Sequence, residues 1–188
     1  MQAFLVSTGV VALAEIGDKT QLLSLVLAAR FRRPWPVILG ILVATLLNHA
    51  GAGAIGAVVS EWLGPRTLRW VLALSFFAMA AWTLVPDKLD EDEAAPTSMR
   101  GVFMATVVAF FLAEMGDKTQ IATIALAARY DDLVSVVAGT TLGMLLANVP
   151  VVLLGSRFAD RLPLRAARIA AALLFLGMAA WVAFRGIG

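Results

Sequence analysis

Residues Ala14–Gln21 read AEIGDKTQ, and residues Ala113–Gln120, 99 positions later, read AEMGDKTQ. The same ungapped offset carries Ala28-Ala29-Arg30 onto Ala127-Ala128-Arg129, Gly40 onto Gly139, Leu46-Leu47 onto Leu145-Leu146, and Gly56 onto Gly155. Arg66 and Arg69 fall on Arg165 and Arg168, and Met79–Trp82 (MAAW) falls on Met178–Trp181. Agreement of this extent marks the chain as a duplication. Each copy holds three long apolar stretches bounded by charge, Gly or Pro, at about Ala3–Ala29, Val37–Val59 and Leu68–Val85, then Val102–Ala128, Leu133–Leu154 and Ala166–Phe184.

Hydrophobic residues make up 61% of the 188 and the mean hydropathy is +0.88, whereas a soluble domain holds ~45–50% apolar residues. Six spans of ~20 residues need about 120 residues, so the expected fold is an all-α membrane protein with six transmembrane helices. Three spans per copy is odd, so the second copy enters the bilayer from the opposite side, as in the inverted-topology repeats of secondary transporters. The expected division is a first repeat over residues 1–86, an acidic linker over 87–101 and a second repeat over 102–188. Trp35, Trp62, Trp70, Trp82 and Trp181 lie near span ends, where indole rings prefer the interface. The first apolar segment lacks a basic flank and contains Glu15, Asp18 and Lys19, which argues against a cleaved signal peptide.

Composition removes whole classes of chemistry. With no cysteine, disulfides, iron–sulfur clusters and thiolate zinc sites are excluded, and a single histidine, His49, excludes a multi-histidine metal site within one chain. The net charge of +2 is spread over segment ends, which speaks for membrane orientation and against nucleic acid as a partner. One side of the expected topology carries Arg30, Arg32, Arg33, Lys88, Arg100, Arg157, Arg161, Arg165 and Arg168; the other carries only Arg66, Arg69, Arg129 and Arg185. The richer side should be cytoplasmic, which places the linker DKLDEDEAAPTSMR (Asp87–Arg100) inside and both termini outside.

The motif itself lies at membrane depth. On a regular helix Glu15, Asp18 and Lys19 share one face, and so do Glu114, Asp117 and Lys118. If these six groups faced lipid unpaired, they would cost roughly 15–20 kcal/mol on an insertion scale of ~2.5–3.5 kcal/mol each. They must therefore face the interior, pair, or line a wet cavity. Four carboxylates and two ammonium groups leave a formal charge of −2, which one divalent cation would neutralise. Thr20, Gln21, Thr119 and Gln120 add hydroxyl and amide oxygens to the candidate metal site of Glu15, Asp18, Glu114 and Asp117, with Lys19 and Lys118 balancing charge. Gly17 and Gly116, at matching places beside the charges, are candidate helix breaks. Oxygen donors suit Mg²⁺, Ca²⁺ and Mn²⁺. Met115 offers a thioether, but its counterpart is Ile16, which speaks for packing. Asn48, His49 and Asn148 are secondary polar candidates, as interhelical hydrogen bonders or, for His49, a proton relay.

Two copies of E-x-G-D-K-[TS], each in the first span of a three-span half and separated by a short acidic loop, resemble the membrane family of proposed Ca²⁺/Mn²⁺:H⁺ antiporters. Its members reside in the animal Golgi and in chloroplasts, and its bacterial members include manganese exporters. The resemblance covers nearly the whole chain. It implies that Glu15, Gly17, Asp18, Lys19 and Thr20, with Glu114, Gly116, Asp117, Lys118 and Thr119, are the family's signature positions. It also implies a secondary transporter, not an enzyme, that moves Mn²⁺ out of the cytoplasm against protons and needs no cofactor. Ca²⁺ as cargo, or an uncoupled channel, are the alternatives. Compact loops and twelve arginines against three lysines fit a bacterial inner-membrane member.

Overall fold

Proline and glycine punctuate the chain. In the computed structural model, which describes residues 1–84, 98–154 and 164–185, eight helices follow one another: Gln2–Glu15 (α1), Lys19–Phe31 (α2), Pro34–Trp62 (α3), Pro65–Thr83 (α4), Met99–Glu114 (α5), Lys118–Arg129 (α6), Leu133–Leu154 (α7) and Leu164–Arg185 (α8). Helices α3 and α4 open on proline, whose missing N–H costs nothing in a first turn. Helix α2 ends where Arg32 turns left-handed (φ 51°) and its N–H closes on the Ala28 carbonyl at 3.0 Å. Ser98 caps α5 by accepting the Gly101 N–H at 2.9 Å, so Met99–Gly101, expected as linker, form the first turn of α5. The rest of the acidic linker, together with Arg157 and Arg161, lies outside the described residues.

The stretches expected as the first and fourth spans are each two helices, parted at the candidate breaks Gly17 and Gly116. Helix α1 stops at Glu15 and α2 starts at Lys19; α5 stops at Glu114 and α6 starts at Lys118, with a 72° bend between α5 and α6. Gly17 (φ +84°) and Gly116 (φ +72°) carry the break, in a region that a side chain disfavours. By length and composition, α3 and α7 can each cross a membrane among the described residues, and the bent α5–α6 pair makes a third span if counted as one.

The two copies interlock. A Cβ placed on Gly40 of α3 would stand 2.6 Å from the Thr106 Cβ on α5, and one on Gly139 of α7 would stand 2.5 Å from the Phe4 carbonyl on α1. Thr106 and Phe103 are the counterparts of Ser7 and Phe4 at the same offset of 99, so each repeat's long helix crosses the other repeat's first helix in the same way. Glycine permits that approach because only backbone lies at the crossing. Helices α4 and α8 run antiparallel: Phe76 stacks on its own counterpart Phe175 at 6.4 Å, while Arg69 donates to the Ala183 carbonyl near the other end of α8. The apolar core includes Val10, Leu72, Phe76, Leu126 and Phe175 on one side and Val11, Ile41, Phe110 and Met144 on the other.

Candidate functional site

Where the helices break, backbone groups lose their helical partners, and the motif supplies replacements. The Gln21 Oε1 accepts the Gly17 N–H at 2.8 Å, and the Gln120 Oε1 accepts the Gly116 N–H at 2.7 Å. The amide oxygens expected to face a metal are therefore engaged with backbone. Thr20 donates its hydroxyl to Glu15, and Thr119 donates to Glu114. The break makes this contact possible, since a regular helix would point each threonine away from its glutamate.

Because the helix is interrupted, Glu15, Asp18 and Lys19 do not share a helical face as the periodicity predicts. The charges pair across the repeats instead. Lys118 bridges to Asp18, and Lys19 lies 3.5 Å from Asp117, so each motif's lysine serves the other motif's aspartate. Glu15, Asp18, Glu114 and Asp117 are all buried. Glu15, Glu114 and Asp117 bring carboxylate oxygens within 4.8 Å of one another, and Asp18 stands outside that group. One oxygen of each glutamate is held by threonine; the other, Oε1 of Glu15 and Oε2 of Glu114, is buried without a hydrogen-bond partner. Buried carboxylates this close are costly if left unmatched in low dielectric, so the arrangement is one that a cation or protons could satisfy.

The secondary polar residues surround this cluster. Asn148 donates to Glu15 Oε2 at 3.4 Å and to the Met144 carbonyl at 3.0 Å, while its Oδ1 accepts the Ser24 hydroxyl at 2.6 Å. Asn48 donates to the Phe111 carbonyl at 3.1 Å and meets the Gln120 Nε2 at 3.5 Å; Gln21 reaches the Ala147 carbonyl at 3.1 Å. Positions 48 and 147 are counterparts, so the two glutamines reach equivalent places. His49 is the counterpart of Asn148 and is fully buried, with no hydrogen-bond partner on either nitrogen among the described residues. Ser24 joins the site from outside the motif: its hydroxyl, four positions after Thr20 and matched by Thr123 after Thr119, extends the polar stripe of each second helix. The two halves differ in access. Lys19 is 25% exposed and Lys118 only 3%, and Met115 and Gly116 are exposed where Gly17 is buried.

The family model for the divalent cation/proton antiporter GDT1 matches residues 3–91 and 102–188, once per repeat. The chain belongs to that family. A relative from Vibrio cholerae named "Putative manganese exporter" is 57% identical over 185 residues, covering 98% of this chain and 92% of its own. "GDT1-like protein 4" of Oryza sativa subsp. indica is 28% identical over 200 residues, covering 93% of this chain and 70% of its own. A GDT1-like protein of Synechocystis is 28% identical over 195 residues, covering 93% of each chain. No solved structure matches the chain significantly. A GDT1 protein is a transporter and not an enzyme, and the apolar helices accord with a place in the membrane.

Proposed function

We propose that the chain exports Mn²⁺ from the cytoplasm in exchange for protons, through a site in which Glu15, Glu114 and Asp117 hold the ion. The observation that carries this reading is the meeting of three buried carboxylates from two broken helices, two of them glutamates with an oxygen left over. Thr20, Thr119 and Asn148 orient the glutamates, Gln21 and Gln120 hold the breaks, and the crossed Lys–Asp pairs tie one repeat to the other. The C-terminal ends of α1 and α5 also converge here, and helix C-termini favour cations. The name of the Vibrio relative favours Mn²⁺ as cargo; oxygen donors alone suit Ca²⁺ as well.

The reading places the chain in a bacterial inner membrane as two inverted three-span repeats, residues 1–86 and 102–188, with the acidic linker in the cytoplasm and the termini outside. The antiparallel contact of the counterpart helices α4 and α8, with Phe76 against Phe175, supports inversion.

Charge sets the coupling. The two Lys–Asp pairs balance, so the ionised site carries the −2 of Glu15 and Glu114. One divalent ion or two protons cancels it, whereas the empty charged site is costly to carry through a low-dielectric barrier. Exchange is thus 2H⁺ per Mn²⁺ and electroneutral. Proteoliposomes loaded in turn with Mn²⁺, Ca²⁺ and Mg²⁺, with internal pH recorded, test cargo and coupling together. Metal movement without proton movement would make the protein a channel, and Ca²⁺ movement without Mn²⁺ would change the cargo. A potassium-diffusion potential that shifts the equilibrium metal gradient at fixed ΔpH would refute electroneutrality.

A further inference from the structure

At the end of the bundle where α1 begins and α6 and α8 finish, the helices line an open-sided cavity of about 430 Å³. Its walls include Val6, Leu174 and Val182, and its polar edge is formed by Gln2, Arg129, Tyr130 and Trp181. The Arg129 guanidinium lies 5.3 Å over the Tyr130 ring, its Nη1 is buried without a hydrogen-bond partner, and no acidic side chain pairs with it among the described residues. Arg185 stacks 4.7 Å over Trp181, and Arg69, 5.5 Å over Trp70, caps the end of α8 through the Ala183 carbonyl. Of these three guanidinium groups Arg129 lines the cavity itself, and Arg185 approaches it through Trp181.

A soluble anion would satisfy Arg129 and leave the apolar walls bare, and a neutral apolar molecule would do the reverse. We propose that the cavity binds an anionic glycerophospholipid, with the phosphate on Arg129 and an acyl chain against Val6, Leu174 and Val182. Charge complementarity argues for this occupant, because a buried guanidinium N–H lacking an acceptor seeks a phosphate oxygen, and Tyr and Trp rings favour the headgroup level. The duplication does not require the feature: the counterpart of Arg129 is Arg30, which is exposed, and the counterpart of Gly177 in the cavity wall is Ala78. The site belongs to one end of one repeat. It rests on the membrane setting of the family and not on the cation route, so a failure here leaves the transport reading untouched.

The test is native mass spectrometry of the purified full chain titrated with phosphatidylglycerol or with phosphatidylcholine of the same acyl chains. The wild type should retain the anionic lipid about tenfold more strongly, the scale of one charge-assisted hydrogen bond. Arg129→Gln should abolish that preference and Arg30→Gln should keep it. Gly177→Leu should lower retention of both lipids with Arg129 intact; a Cβ at Gly177 meets nothing within 4 Å, so the larger side chain enters open space. This variant carries the test if Arg129→Gln does not fold. An unchanged preference in Arg129→Gln, or an equal loss in Arg30→Gln, overturns the proposal. So does glycerol phosphate binding as tightly as the lipid, which would mark a free-phosphate site. A Gly177→Leu protein that changes oligomeric mass with lipid retention unaltered would make the cavity a protein–protein face and also overturn it.

Discussion

Glu114→Gln removes one charge from the carboxylate cluster while keeping the shape of the side chain and an oxygen for Thr119 to donate to. Two effects of opposite sign follow. Without metal, charges 4.8 Å apart repel by about 3 kcal/mol at an effective dielectric constant of about 20, so the neutral variant should be as stable as the wild type or more stable by up to that amount. With metal, the same change removes an anionic partner from a buried ion. Stripping one partner from a buried charge pair costs about 3–5 kcal/mol, which weakens Mn²⁺ binding by at least about a hundredfold. The assay is thermal unfolding of the solubilised protein across a Mn²⁺ series, since a ligand that binds only the folded state stabilises it by RT ln(1 + [L]/Kd). The wild-type midpoint should climb with Mn²⁺, while the Glu114→Gln midpoint starts level or higher and stays flat over the same range. A variant that is destabilised without metal yet responds to Mn²⁺ like the wild type would refute the cation site and leave Glu114 a structural residue.

Three further outcomes are expected. Lys118→Met removes the buried counter-charge of Asp18 and should destabilise the fold by about 3–5 kcal/mol, whereas Lys19→Met, at a quarter-exposed position, should cost about 1 kcal/mol; paired unfolding measurements compare them. Gly139→Ala drives a Cβ against the Phe4 carbonyl and should cost about 1–3 kcal/mol, while Gly9→Ala, with nothing within 4 Å, should be neutral or stabilising in the same assay. The hydroxyl and backbone N–H of Ser135 bond to Asp132 ahead of α7 and hold its carboxyl below the ordinary value. A depressed folded value means that this cap is fully present above about pH 3.9 and lost as pH falls through the lower, folded value; hydrogen exchange in the first turn of α7 should show an Asp132→Asn difference that vanishes on acidification.

Much of this architecture was legible before any coordinate. The offset of 99 relates Gly40 to Gly139 and Glu15 to Glu114 by inspection, and apolar length locates α3 and α7 to within three residues. What periodicity cannot supply is contact between distant segments. It places Lys19 on a face with Glu15 and Asp18, and although Gly17 stands out as a candidate break, nothing local shows that the turn there brings Lys19 to Asp117 instead. It likewise offers Gln21 as a donor of oxygen to a metal, because the demand of the Gly17 N–H exists only once the helix is broken. Ser24 joins the site through Asn148, 124 residues away, and a single chain read locally carries no trace of that bond.

The glycine crossings of α3 on α5 and of α7 on α1 have a consequence for biogenesis. Helices α1–α4 leave the ribosome before their packing partners exist, so Glu15, Asp18 and Lys19 lack their partners while α5–α8 are still being made. Each such residue costs ~2.5–3.5 kcal/mol at the membrane centre until a counter-charge arrives. The counter-charge for Asp18 is Lys118, which is made about a hundred residues later. The charges of the first motif find their partners only in the second, so neither copy of the repeat is electrostatically complete alone.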